Sequence, residues 1–479
     1  APKPIQKWSG ILNATGDAPL CLQTNLKGDS VKGTEDCLYL SVYSPKNNRE
    51  NMPVLFNVHG GAFQAGSMGF RENAEYLMDE DVVLVQTHYR LNAFGFSSLG
   101  NKLMPGNYGI KDQVMALKWV QQNIASFGGN PKSVTVLGES AGAGSSHILL
   151  KTPATEGLVH RALSESGTIN HIWSELKPEV ARNGTLKLAA RLGCSITGDD
   201  LEIFNCLQGV SSEELIGAVK YGKNENPSFA PCYEPKDAED AVMTEDLSTL
   251  PSNKPWMASN CNGESLMSYA SLDPQDVAYA RKNLDSYLER EIAKYMDVPD
   301  PARARAGAAI VKKSYFPDVE PLQNFSMGLV KIVADVTFYY PSLYNLMNHQ
   351  GPKWYYYLEY VGELTKSAIK RMLPNEIVTY VALHADQRLY YFNERRNFPG
   401  VGPKETPEDY RVSKRMIKYL VNFAYYNDPT PAGTPSKWNQ FGGNQILRVA
   451  NSQSDFMGDQ TFFQPFQNIL NTWSYVIGW

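Results

Sequence analysis

Val134-Thr135-Val136-Leu137-Gly138-Glu139-Ser140-Ala141-Gly142 reads as a buried strand running into Gly-x-Ser-x-Gly and then into small residues suited to opening a helix. A turn from strand to helix leaves no room for side chains at its flanks, so a glycine stands on each side of the serine. Ser140 is thereby lifted above the strand at a helix N-terminus, where the helix dipole favours developing negative charge. A glycine-rich turn without chemistry is the bland alternative, and the strand in front of it argues against that alternative.

Outward from this corner the pattern repeats. Short apolar runs read as buried strands at Leu38–Val42, Val54–Val58, Val82–Thr87, Val134–Leu137, Trp256–Ser259 and Trp354–Tyr360. Between two of them, Ile110, Val114, Leu117, Val120 and Ile124 recur at helical steps, predicting a helix over Gly109–Phe127 closed by Gly128. Strands alternating with helices predict an α/β fold with a large, mostly parallel sheet covered by helices on both faces. No internal repeat or linker divides the 479 residues, so one domain is expected, with a polar helical excursion from Glu175 to Lys254.

Composition removes several classes. A net charge of -5 does not suit phosphate-rich partners, so nucleic acid is not expected. Mean hydropathy is -0.36 and no apolar run approaches a membrane span. Six cysteines include no Cys-x-x-Cys pair, so no structural zinc site, and no metal at all, is expected. Cys21 and Cys37, like Cys194 and Cys206, bracket short polar stretches, which points to disulfides and an oxidising compartment; six buried thiols are the alternative. Sequons at Asn13, Asn183 and Asn324 add weak support for secretion, and Ala1 begins no leader within this numbering.

A serine at such a corner needs an oxyanion hole, a base and an acid. The strand Val54–Val58 runs into His59-Gly60-Gly61-Ala62-Phe63, a loop whose small residues let backbone N–H groups approach a substrate. The candidate donors are Ala141, after the serine, with Gly61 and Ala62. This architecture takes its triad in the order serine, acid, histidine, which leaves His349 and His384 of the seven histidines. His349 reads as a surface residue closing a helix, so His384 is the better base. Glu264, on a turn after the strand Trp256–Ser259, is the candidate acid, and Asp335, in a helical stretch, competes with it.

With these residues assembled, the chain resembles the type-B carboxylesterases and cholinesterases, a branch of the α/β-hydrolase fold. The resemblance runs nearly end to end, through Thr34–Leu40, His59–Ser67, Tyr89–Phe96, Gly106–Gly109, Phe127–Pro131, Gly138–Gly142, Ser164–Gly167, Asn422–Ala424 and Asp428–Pro431. Tyr76–Asp79 and His384–Asp386 look like secreted arthropod esterases. The resemblance implies Ser140, Glu264 and His384 as the triad; Gly61, Ala62 and Ala141 as the oxyanion hole; disulfides Cys21–Cys37 and Cys194–Cys206; and Trp173 as a wall of the acyl pocket. Plain packing is the alternative for Trp173.

Three departures stand out. The stretch from Cys21 to Cys37 is short and holds no aromatic residue, where cholinesterases carry the tryptophan that binds the choline cation. Glu139 stands where juvenile hormone esterases usually place glutamine, which weighs against that substrate. Gln387, three residues after the base, replaces a usual acidic residue. The family's opening strands are expected to be missing before Ala1. The expected activity is a secreted serine esterase that hydrolyses a small-molecule carboxylic ester through an acyl-enzyme on Ser140, without a cofactor. A non-catalytic adhesion relative and a lipase are the alternatives.

Overall fold

Seven consecutive buried residues, Met52–Val58, are accommodated only where both faces of a strand are covered. In the computed structural model this segment is an interior strand of a sheet, paired along both edges, and each buried Val, Leu or Phe in it contributes roughly 1.5–3 kcal/mol. All residues are described except 25–29, 48, 70–72, 220–228, 267–271, 296–297, 299, 318–321, 373–380, 394–405, 435–436 and 478–479. The chain forms two compact units, one of residues 1–164, 168–256 and 417–433, the other of residues 165–167, 257–416 and 434–479.

In chain order the strands of the first unit are β1 (Gln23–Thr24), β2 (Val31–Lys32), β3 (Leu40–Tyr43), β4 (Met52–Val58), β5 (Val83–Thr87), β6 (Gly129–Glu139) and β7 (Arg161–Glu165), whose last residue, Glu165, belongs to the second unit. β1 and β2 form a small antiparallel pair. The others are ordered β7-β6-β4-β5-β3, with β4 parallel to both β5 and β6 and β3 antiparallel to β5. Pro53 has no N–H to give the ladder, and the β4–β6 register is irregular there, between Met52 and Val54. The expected long helix before β6 spans Tyr108–Asn123, continues as a 3-10 turn to Phe127 and closes on Gly128 at φ 80. Disulfides join Cys21 to Cys37 and Cys194 to Cys206, each stabilising by about 3 kcal/mol through loop entropy.

The second unit carries β8 (Trp256–Cys261), β9 (Lys353–Leu358), β10 (Leu447–Val449) and β11 (Phe456–Met457), in that order. β9 and β10 are parallel, and β11 is antiparallel to β10. An apolar cluster with Leu288, Ile292, Val311, Phe325, Tyr340 and Trp473 joins helices between residues 274 and 348 to the helix Gln460–Ile477.

One strand stands outside the sequence expectations, and one expectation needs correction. β7 was not read from the sequence because Arg161, Ser164 and Glu165 are polar, yet all three are buried. Arg161 is satisfied by Ser133, Thr135 and Asn427, and Glu165 accepts the hydroxyl of Tyr356. Among the described residues, the excursion expected to be helical from Glu175 to Lys254 is so only in its first part, in Pro178–Arg191, Asp200–Gln208 and Ser212–Gly217. From Phe229 onward it is irregular apart from the turn Leu247–Thr249, held instead by buried polar bonds. Glu234 pairs with Lys111 and accepts the N–H of Val242 and the amide of Asn107.

Candidate active site

The corner between Gly138 and Gly142 lies in the first unit. Ser140 joins the end of β6 to the helix Ala141–Lys151 with φ 57 and ψ -122, a conformation that costs a non-glycine residue on the order of 1–3 kcal/mol. Its flanking glycines are sterically required. A methyl group at Gly138 would stand 2.4 Å from the backbone of Gly142, and one at Gly142 would stand 2.0 Å from the Val58 carbonyl. The serine side chain is half-buried, and the N–H of Ala141 opens the helix, where no intrahelical acceptor exists for it.

The loop after β4 is equally crowded. Gly61 has φ 112, and a methyl group there would meet the Ala65 carbonyl at 1.8 Å. Ala62 and Phe63 also hold positive φ, 57 and 60. The Gly61 carbonyl accepts the N–H groups of Gln64 and Ala65, so the loop turns back on itself. Gly61 is half-exposed and Ala62 exposed, whereas Phe63 is buried against Phe96. Trp173 is half-buried, with its ring edge-to-face on buried His171. Its segment sits close on the helix that begins at Ala141: a methyl group at Gly144 would meet Ser174 at 3.2 Å and the Thr168 carbonyl at 3.7 Å.

The second unit holds a carboxylate–imidazole pair. Glu264 Oε2 accepts from His384 Nδ1 at 2.7 Å, and Oε1 accepts the Cys261 N–H at 3.0 Å. The Glu264 side chain is fully buried, while His384 keeps 21% of its surface. Local sequence explains the pairing of two loops 120 positions apart. The Gly263 N–H donates to the Ala382 carbonyl and the Ala382 N–H to Asn262 Oδ1. A methyl group at Gly263 would meet Val381 at 2.5 Å, so only glycine lets the loops approach. Asp386 accepts the Leu383 N–H and tightens the turn that carries the imidazole. Phe338 lies against the imidazole with ring centroids 4.7 Å apart, presented by a π-helical turn over Asp335–Tyr339. The hydroxyl of Tyr339 donates to the Cys261 carbonyl at 2.6 Å. Sequence reasoning missed Asn262, Phe338 and Tyr339; only the turn Asn260–Gly263 signalled where to look.

Asp335 is separate from this pair. It is buried, accepts from the Tyr315 hydroxyl at 2.6 Å, and burial lifts its carboxyl to about 7. Gln387 is fully buried and donates to Ser166 Oγ at 2.8 Å and to Ser259 Oγ at 3.3 Å. A carboxylate at that position could only accept, so both hydroxyls would have to donate instead.

The other histidines are occupied structurally. His59 stacks on Tyr89, His147 stacks on Trp256, and His160 accepts the N–H of Val134. Burial drives His88 down to about 4. His349 closes the helix Tyr340–Asn348 as expected, but it is buried rather than at the surface. Cys232 and Cys261 are buried free thiols, both pushed up by burial. Asn13 is exposed, and so is Asn183, although the hydroxyl of Thr185 in its sequon is buried and bonded to Ser98; the side chain of Asn324 lies outside the described residues. Among the described residues no group of three His, Cys, Asp or Glu could hold a metal ion, and no helix is long and apolar enough to cross a membrane.

Residues 1–464 match the Carboxylesterase family. Juvenile hormone esterase of Tribolium castaneum is 32% identical over 460 residues, covering 90% of this chain and 77% of that protein. Carboxylic ester hydrolase of Bombus ignitus is 30% identical over 475 residues, covering 95% and 83%. The crystal structure of juvenile hormone esterase from Manduca sexta, with OTFP covalently attached, superposes with a TM-score of 0.86 at 24% identity, covering 100% of this chain and 91% of that one, and shows the same α/β-hydrolase fold. The chain belongs to the carboxylesterase family and is a carboxylic ester hydrolase.

Proposed function

We propose that Ser140 is the nucleophile, His384 its general base, and Glu264 the carboxylate that fixes the imidazole. The observation that carries this reading is the 2.7 Å bond between His384 Nδ1 and buried Glu264, which leaves Nε2 as the basic nitrogen. His384 takes the proton from Ser140 Oγ as the oxygen attacks the ester carbonyl. The oxyanion is stabilised by the N–H groups of Gly61, Ala62 and Ala141. The tetrahedral species collapses, His384 protonates the departing alcohol, and an acyl-enzyme remains. Water, deprotonated by His384, then releases the acid and restores the serine. No step needs a metal or an organic cofactor.

The substrate is a small carboxylic ester. Trp173 limits the acyl side, a reading supported by the close seating of residues 168–174 on the helix that begins just after Ser140. Choline esters are disfavoured because residues 22–36 carry no aromatic side chain for the cation. Juvenile hormone belongs in the substrate panel because relatives bear its name, although Glu139 weighs against it. The protein acts outside the cell, supported by its two disulfides, with Asn13 as the sequon most open to glycan attachment.

Ser140→Ala tests the assignment. Hydrolysis of p-nitrophenyl acetate should fall to background; turnover at the wild-type rate would overturn it.

A further inference from the structure

Outside the residues named above, one side chain grips the oxyanion loop. Gln23 lies on β1, two residues after Cys21, which is tied to Cys37. It is buried, with 9% of its surface exposed. Its Oε1 accepts the N–H of Gly66 at 2.9 Å, and its Nε2 donates to the Gly66 carbonyl at 2.9 Å and to the Cys21 carbonyl at 3.0 Å. One amide thus holds both polar groups of one residue, and its third bond fixes its orientation.

Gly66 is the far end of the loop that begins at His59. It has φ 129, and a methyl group on it would stand 2.4 Å from the Gly60 carbonyl and 2.4 Å from His59 Nδ1. Gly66 therefore packs directly on the Gly60 carbonyl. That carbonyl and the N–H of Gly61 belong to one planar peptide, so fixing the first aims the second. The turn bonds from Gln64 and Ala65 fall on the Gly61 carbonyl, which shares the next peptide with the N–H of Ala62, so the same loop also holds that donor.

We infer that Gln23 is a positioning residue for the oxyanion hole: by clamping Gly66 it holds the Gly60–Gly61 peptide, and with it the N–H groups of Gly61 and Ala62, in the orientation that receives the oxyanion. The inference rests on the proposed role of Gly61 and Ala62. Donors stabilise a transition state only when they are aimed before charge develops, so the clamp acts on turnover more than on ester binding.

The test is Gln23→Met, which keeps the length of the side chain and removes its amide. kcat is measured per active site titrated with a fluorophosphonate, together with KM and with Ki for a trifluoromethyl ketone, whose adduct with serine carries an oxyanion. Loss of one oxyanion donor costs about 100–1,000-fold, so loosening two donors without deleting them should lower kcat about 10–100-fold. KM should stay within about threefold, and the ketone Ki should rise in step with the loss of kcat/KM. Gln23→Asn, one methylene too short to reach Gly66, should behave alike and carries the test if the Met variant yields no titratable sites. A kcat per site within about twofold of wild type in either variant overturns the clamp. If wild-type hydrolysis is lost in Ser140→Ala while the Gln23 variants keep full kcat, the clamp alone fails. If Ser140→Ala retains activity, the assignment of the nucleophile fails instead.

Discussion

In the proposed mechanism Glu264→Gln changes one atom in the pair that activates Ser140, and the geometry of its two oxygens determines the consequence. The carboxylate has two committed ends: Oε2 faces His384 Nδ1 at 2.7 Å, and Oε1 faces the Cys261 N–H at 3.0 Å and the Asn260 amide at 3.4 Å. An amide can keep only one of these ends as an acceptor. If its oxygen stays on Cys261, its NH2 points at His384 Nδ1, which must then accept. The imidazole proton moves to Nε2, and the nitrogen needed to take the serine proton is blocked. If the amide turns over, its NH2 faces two donors, which is costlier. The blocked tautomer is therefore the expected state. The same carboxylate-to-amide change in a serine protease triad costs about 10⁴ in kcat, or about 5 kcal/mol of transition-state stabilisation. We expect a similar loss in kcat/KM for p-nitrophenyl acetate near neutral pH, with a melting temperature near wild type because the Cys261 N–H remains bonded. A loss smaller than about tenfold would refute this reasoning.

Other perturbations have defined outcomes. Gly142→Ala places a methyl group 2.0 Å from the carbonyl of Val58, on a strand paired at both edges, so it should destabilise by about 3 kcal/mol in urea unfolding; an unchanged midpoint contradicts this. Burial lifts Asp335 to about 7, so between about pH 4 and 7 the folded state holds a proton that the unfolded state has released, and stability falls as pH rises through that window. Asp335→Asn should therefore gain stability over wild type above that window and lose that advantage near pH 4, roughly the ordinary carboxyl value, whereas a pH-independent difference would contradict it. Trp173→Ala should shift the preferred p-nitrophenyl ester to longer acyl chains; an unshifted preference would leave the ring with a packing role only.

Much of the architecture was legible because apolar runs and helical periodicity report burial directly. The strands at Val54–Val58 and Val134–Leu137, and the helix ended by Gly128, fall where expected within a few residues. Ser140 was legible for a related reason: glycines at 138 and 142 are dictated by contacts of 2.0–2.4 Å, so the corner leaves a mark in the sequence. β7 left none, because its buried Arg161 and Glu165 look like surface residues until partners from distant segments are known. Phe338 was hidden for a similar reason. A π-helical turn carries no spacing signature, and its contact with His384 exists only after folding. Gln23 leaves no mark in the sequence, since a clamp on a backbone amide has no motif.

The most direct measurement is the site of covalent capture. Incubation with a fluorophosphonate, trypsin digestion and mass spectrometry should place a single phosphonyl adduct on the peptide Ser133–Lys151, at Ser140, in step with loss of esterase activity. An adduct on another residue, or full inhibition with that peptide unmodified, would contradict the account.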